Sequence, residues 1–273
     1  MVVKQREEVE AVRAAAQCVV RAHERLVEYL RAGLTLPEVD GFVASTLADL
    51  DCRSCFLHYK IRGHPPFPSH ACLSLNDCIV HGTHHMWRRA LEPGDILSID
   101  IGVKHRGWIG DAAWTYAIEH ASDEALRLMH CGRESLARGL RALQPGRPLR
   151  DWAAAVQNYV EGECGYHLVI GLGGHGFGRK LHGPPFVSNI LPGGRHQTEW
   201  PEANVIMQPG MLLAVEPMLA MGTSETRSKG REWPIFTADG SLAVHYEADV
   251  MIDEDEGPVN LTEGLELMPD VVG

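Results

Sequence analysis

The sequence lacks the marks of several function classes. It has no basic excess: 25 Lys and Arg face 36 Asp and Glu, for a net charge of -11. That balance argues against nucleic acid and anionic membranes as partners. No apolar run approaches the roughly 18 residues of a membrane span. The opening "MVVKQREEVE" is charged from the start, unlike a secretory leader. There is no disulfide framework either: the seven cysteines are an odd, scattered set. They include one C-x-x-C (Cys52 and Cys55 in "DCRSC") with no second pair to complete a zinc site. The expectation is a reduced cytoplasmic protein that uses cysteine as a small apolar residue. No linker or low-complexity stretch divides the chain, so residues 1–273 are read as a single domain.

What is present is periodic. Residues 5–32 keep a helical repeat of apolar positions and stop at Gly33. "TLPEVDGFVASTLADL" opens a second helix with Thr35 as cap and Pro37 in its first turn. "SDEALRLMHCGRESLARGLRAL" reads as a third helix capped by Ser122, and "RPLRDWAAAVQNYVEGE" as a fourth. "ACLSLNDCIVHG" is expected to be a strand pair or a bent strand. From Tyr166 onward the chain is mostly short strands with Gly and Pro turns. A shift of 113 residues aligns Leu30 with Leu143, Gly33 with Gly146, Leu36 with Leu149 and Val43 with Val156. The implied fold is α+β: two similar halves in which helices cover a curved, mostly antiparallel sheet.

Carboxylates stand out within the apolar strands. In "GDILSIDIGVKHRGWIGD", Asp100 sits among Ile96, Leu97, Ile99, Ile101 and Val103, and Asp111 follows on the return strand. A turn at His105–Arg106 would set the two acids directly opposite each other on one face; a slip of one residue would separate them. Adjacent like charges repel unless a cation lies between them. The alternative is a pair of solvated hairpin acids. Glu216 ends the apolar strand "GMLLAVE", Glu247 lies in "LAVHYEADVMI", and His175 stands in the glycine-rich "GLGGHGFGRKLHGPP". Four carboxylates and one imidazole suit two divalent ions of the Mn, Fe, Co or Zn class. Gly171, Gly173 and Gly176 spell G-x-G-x-x-G, but two prolines follow where a dinucleotide site needs a helix.

With "FPSHACLSLNDCIVHG", "GDILSIDIGVKHRGWIGD", "GGHGFGRKLHGPP", "GMLLAVEPM" and "HYE" in this order, the chain resembles the methionine aminopeptidases of the pita-bread fold, type I in its short His175-to-Glu216 segment. The resemblance implies two pseudo-symmetric halves with the sheet covered by two pairs of helices. It implies a site of two divalent ions (Co, Mn, Fe or Zn) held by Asp100, Asp111, His175, Glu216 and Glu247, with Asp111 and Glu247 bridging. It further implies Glu216 as proton carrier, His81 and His182 as groups acting on the scissile amide, and removal of the initiator methionine when the second residue is small. The methionine side chain would be held by His64, Cys72, Leu181 and Trp233, beside His81 and His182. His64 and Leu181 stand where bacterial enzymes commonly carry tyrosine and phenylalanine, which implies a looser preference for methionine. Expected partners are the N-termini of nascent polypeptides, with transient ribosome association; nucleic acid and membrane are not expected, and the chain is expected to be a monomer. Other readings are a specialised copy of the same enzyme, suggested by the long segment 188–204, a proline-selective aminopeptidase, disfavoured because such enzymes usually carry an extra N-terminal domain, and a non-catalytic binding module. His58, His70, His84 and His85 are read as structural.

Overall fold

The computed structural model describes residues 1–3 and 5–273. Helix α1 spans Arg6–Tyr29 and ends a turn earlier than its apolar period suggests, because Leu30 is already extended. Gly33, at φ +89°, turns the chain. Helix α2, Leu36–Asp49, starts on a complete capping box: Thr35 accepts from the Glu38 amide, and the Glu38 carboxylate accepts from the Thr35 amide at 2.7 Å. Helix α3 is Asp123–Ala142, capped by Ser122. Helix α4 covers only Arg150–Gln157; the remainder of the expected fourth helix, Asn158–Glu163, widens into a π-helical turn.

In the first half, strands β1 (Cys72–Leu75), β2 (Ile96–His105) and β3 (Trp108–Ile118) form an antiparallel sheet under α1. The helix lies so close to β3 that a Cβ on Gly110 would overlap the backbone of Ala15. The segment "ACLSLNDCIVHG" is bent and does not form a hairpin: β1 pairs with β2, whereas Cys78–Val80 pairs with Ile235–Thr237. In the second half, β4 (Gly173–Gly176) and β5 (Leu212–Val215) pair, and β6 (Ala248–Asp253) adds to β5. Gly183–Ser188 and Gly257–Asn260 close the two edges of that sheet. Gly171–Gly176 continues into Gly183–Ser188 through a turn, so no dinucleotide-type helix follows the glycines.

The two halves repeat in detail. Leu30 and Leu143 cap the first helix of each pair, and Gly33 and Gly146 both turn at positive φ. Gly33 N donates to Leu91 O and Leu91 N to Leu34 O; Gly146 N donates to Met207 O and Met207 N to Arg147 O. From Leu91, "EPGDILSID" leads to Asp100; from Met207, "QPGMLLAVE" leads to Glu216. Asp100 and Glu216 therefore hold equivalent places in the two halves.

The β2–β3 turn lies at Arg106–Gly107, one residue later than expected, with φ +47° and +87°. Positive φ at both central residues suits a tight hairpin turn, and the glycine makes it accessible. The register becomes Asp100 opposite Ala113 and Gly102 opposite Asp111. The acids are thus diagonal neighbours, but the shift moves the pairing by two positions and leaves them on one face. Among the ten residues of β2 only Lys104 is exposed, and β3 is buried throughout. Full burial of Ile99 or Ile101 contributes about 1.5–3 kcal/mol each, and this apolar frame holds the two acids out of water.

Candidate metal centre and substrate cavity

The acids converge where the halves meet. The Asp111 amide donates to Asp249 Oδ2 at 2.8 Å, and the Glu247 amide donates to Ala113 O at 2.9 Å. These two bonds join β3 to the chain entering β6. Gly102, opposite Asp111, leaves room for its carboxylate; a Cβ there would stand 3.1 Å from Asp111 Oδ1. Asp100, Asp111 and Glu247 are 9%, 2% and 2% exposed. Their neighbours do not satisfy them: Asp100 Oδ1 and Asp111 Oδ1 are buried with no hydrogen-bond partner among the described residues. Burial, reinforced by the neighbouring carboxylates, pushes the Asp111 and Glu247 carboxyls well above the usual range, and burial pushes Asp100 up to about 7.

His175 completes the cluster. Gly174 allows its strand to press against β5, since a Cβ there would overlap the Ala214 carbonyl. His175 Nδ1 lies 3.2 Å from Gly176 O, the geometry of a donor to that carbonyl. The lone pair is then on Nε2, which faces Asp111 Oδ2 at 3.6 Å. Burial lowers its pKa, favouring the neutral ligating form. Asp111, His175 and Glu247 offer donor atoms within 4.8 Å of one another, and so do Glu216, His245 and Glu247. The two groups share Glu247, an arrangement that suits two cations side by side. Oxygen donors with one or two imidazoles fit divalent ions of the Mn, Fe, Co or Zn class. Asn189 fixes the Glu216 end, donating to Glu216 O at 2.8 Å while Trp152 Nε1 donates to Asn189 Oδ1.

Sequence reasoning missed two residues. His245 is 2% exposed, with Nε2 3.1 Å from Glu216 Oε2. It stands in "HYE", two residues before Glu247 and so on the same side of an extended chain. Asp249 repeats that spacing on the other side and is fully buried, one oxygen taken by the Asp111 amide and the other without a partner among the described residues. The i, i+2 pattern His245–Glu247–Asp249 was the available signal.

A cavity of about 620 Å³ opens onto this cluster. Its walls include Phe56, Tyr59, Phe67, Cys72, His81, Leu181, His182 and Trp233. His64 packs against the wall, its ring 5.2 Å from that of Trp233. Tyr59 and Phe67 supply the aromatic faces that His64 and Leu181 lack. From the long segment 188–204 the cavity takes only Glu202. His81 adopts the left-handed region at φ +59°, where a non-glycine residue is strained. Burial lowers its pKa to about 4. His182 stands at the mouth, its Nδ1 2.7 Å from the Tyr59 hydroxyl and its ring 4.5 Å from that of His175. Burial and His175 together bring it down to about 4. By contrast His70 and His84 turn away to Asp40, at 3.1 and 3.6 Å.

The sequence pattern of metallopeptidase family M24 matches residues 10–254. A methionine aminopeptidase of Aquifex aeolicus is 34% identical over 261 residues, 94% of this chain and 96% of the relative. Methionine aminopeptidase 1 of Mycobacterium tuberculosis is 35% identical over 257 residues, 92% and 91% of the two chains. The solved structure of a methionine aminopeptidase from Thermotoga maritima superposes with a TM-score of 0.84 at 30% identity, covering 96% of this chain and 99% of its own. The pita-bread architecture expected from the motifs is the architecture found, and with sequence agreement along nearly its whole length the chain belongs to metallopeptidase family M24.

Proposed function

We propose that the chain removes the initiator methionine from nascent polypeptides, with Asp100, Asp111, His175, Glu216 and Glu247 holding two divalent ions. The observation that carries this reading is the cluster of buried carboxylates lining the cavity, with Asp100 Oδ1 and Asp111 Oδ1 lacking partners among the described residues. Bound there, divalent ions supply a nucleophile at neutral pH and polarise the first peptide carbonyl. The acidic end of the cavity attracts a free α-amine, which makes the activity that of an exopeptidase. Tyr59, Phe67, Cys72, Leu181 and Trp233 enclose a flexible thioether. Glu216 takes the proton released on attack and returns it to the leaving amine. His182 and His81 are neutral at pH 7. His182 Nδ1 lies 2.7 Å from the Tyr59 hydroxyl; in the tautomer that accepts from this hydroxyl, Nε2–H is the donor towards the tetrahedral centre. Both halves of the site come from one chain, so a monomer suffices. The setting is cytoplasmic, where N-termini emerge from ribosomes.

The test is the product rule. A second residue must fit beside the carboxylate cluster, so Met-Ala-Ser and Met-Gly-Ser should be cleaved well and Met-Lys and Met-Trp peptides poorly. Equal rates on Met-Ala and Met-Trp peptides would remove initiator processing from the reading.

A further inference from the structure

A second group of ligating side chains lies outside the catalytic cavity. Cys18 comes from α1, Cys52 from the chain just after α2, and His105 is the last residue of β2. One donor atom from each lies within 4.8 Å of the other two. Cys52 Sγ is 3.6 Å from His105 Nδ1. A tetrahedral zinc ion, bonded at about 2.3 Å to sulfur and about 2.0–2.1 Å to nitrogen, sets sulfur and nitrogen roughly 3.6 Å apart. The Cys52–His105 spacing already matches, and the remaining pairs need close by no more than about 1 Å for the same geometry. Both cysteines are buried residues, at 0% and 7% exposure. The C-x-x-C motif plays no part in the grouping: the backbone of Cys55 binds Gly102 O, and its thiol lies near Asp111.

We propose that Cys18, Cys52 and His105 form a separate site for one zinc-class ion, which ties α1 and the end of α2 to the strand that carries Asp100. The existing bonds are consistent with it. The Cys18 thiol is brought down to about 6 by a hydrogen bond from Cys52, helped by Arg21, whose Nη2 lies 3.1 Å from Cys18 Sγ. A thiolate is the ligating form. The hydrogen bond to Cys18 and burial hold the Cys52 proton in place, and a cation between the sulfurs would displace it. His105 Nδ1 also lies 3.2 Å from Asp51 O, a contact that gives way when the nitrogen becomes a ligand. With a water in the fourth position, two thiolates and a neutral imidazole leave a neutral centre. Thiolate softness separates this site from the carboxylate centre: a soft or borderline ion prefers the sulfurs and a harder one the oxygens.

The probe is Co(II) added to the reduced full-length protein, read by near-ultraviolet sulfur-to-cobalt charge transfer, which oxygen and imidazole ligands do not give. Wild type should show the band, and zinc should bleach it. Cys18→Ala should lose most of it, His105→Gln should need far more cobalt to develop it, and both should retain about one zinc fewer per chain than wild type. His105→Gln, at the strand end, serves if Cys18→Ala fails to fold. Asp111→Asn and Cys72→Ala should keep the band. A wild type without the band overturns the proposal, as does a band that survives Cys18→Ala and disappears in Cys72→Ala. A Cys18–Cys52 disulfide that forms in air, with no cobalt band under reductant, also overturns it and assigns the pair to redox chemistry.

Discussion

Asp95 and Asp100 lie five residues apart on one run of chain, and both are buried. Asp95 is held by Arg89 at 2.7 and 2.8 Å, by Asn76 Nδ2 at 2.9 Å and by the Glu92 amide at 2.8 Å. Burial pushes its pKa up, but these donors outweigh it and keep the carboxyl below its ordinary range. Asp40 is treated alike, accepting from the His70 and Ala71 amides and facing two imidazoles. Among the described residues Asp100 has only the Cys72 thiol as hydrogen-bond donor, and burial pushes it up to about 7. A buried acid that the protein satisfies is architecture; one left unsatisfied beside three others requires a cation from outside. Burial alone does not separate the two kinds, and partners do.

The sharpest way to break that contrast is Asp111→Asn. It removes one negative charge and one carboxylate oxygen from the cluster that would hold the ions, while leaving the apolar frame of β3 intact. Turnover on Met-Ala-Ser should fall beyond about four orders of magnitude and metal content should drop, with the circular dichroism of the fold unchanged. Normal metal stoichiometry together with normal turnover would place Asp111 with Asp95.

His182→Ala and His81→Ala come next. Each should lower kcat by roughly two to four orders while the carboxylate centre keeps its metal. Loss of metal in His182→Ala would move that residue from the reacting amide into the ligand set.

Asp95→Asn should do the reverse of Asp111→Asn: metal content and kcat hold, and stability falls by about 1–3 kcal/mol in denaturant titration, limited because Arg89 is 33% exposed and can reach water. The sign with pH follows from the lowered pKa. The bond contributes fully above the unfolded value of 3.8 and is lost as pH falls through the folded one. The stability gap between wild type and Asp95→Asn should therefore shrink below about pH 4. A gap that widens in acid would mean Asp95 is not held as a carboxylate.

The smallest effect concerns the pocket wall. Leu181 gives up a sulfur–aromatic contact worth on the order of 0.3–1.5 kcal/mol, although Tyr59 and Phe67 line the same space. Leu181→Phe should raise the kcat/KM ratio of Met-Ala-Ser over Leu-Ala-Ser by a few-fold to tenfold. No change, with leucine already rejected by wild type, would show that Tyr59 and Phe67 have taken over the wall.

The helices were legible because their signals are local. Thr35 and Glu38 are three residues apart and cap each other, and Ser122 needs only Ala125. The face shared by Asp100 and Asp111 was legible because the side-chain period of a strand is two, so even a misplaced turn kept them together. The turn itself was not, because Gly107 supports more than one hairpin length. His64 stands against the wall residue Trp233, its ring 5.2 Å away, a contact that alignment alone does not give because it fixes a position along the chain and not the packing around it.

The sequence by itself determined which residues are chemically out of place: acids in apolar strands, a histidine among glycines, and two helix pairs repeated with the same glycine stop. Only the tertiary structure decided which acids are satisfied: Arg89, Asn76 and the Glu92 amide all bond Asp95, whereas Asp100 Oδ1 is left without a partner among the described residues. It also decided that Asp100 and Glu216 are equivalents, that His245 and Asp249 join the carboxylate cluster, and that Cys52 meets Cys18 and His105 while its motif partner Cys55 does not. Hydrogen bonds and ligand geometry act over a few ångströms. His245 meets Glu216 across 29 positions, Cys18 meets Cys52 across 34 and Asp111 meets Asp249 across 138, separations that leave no periodic mark in the sequence.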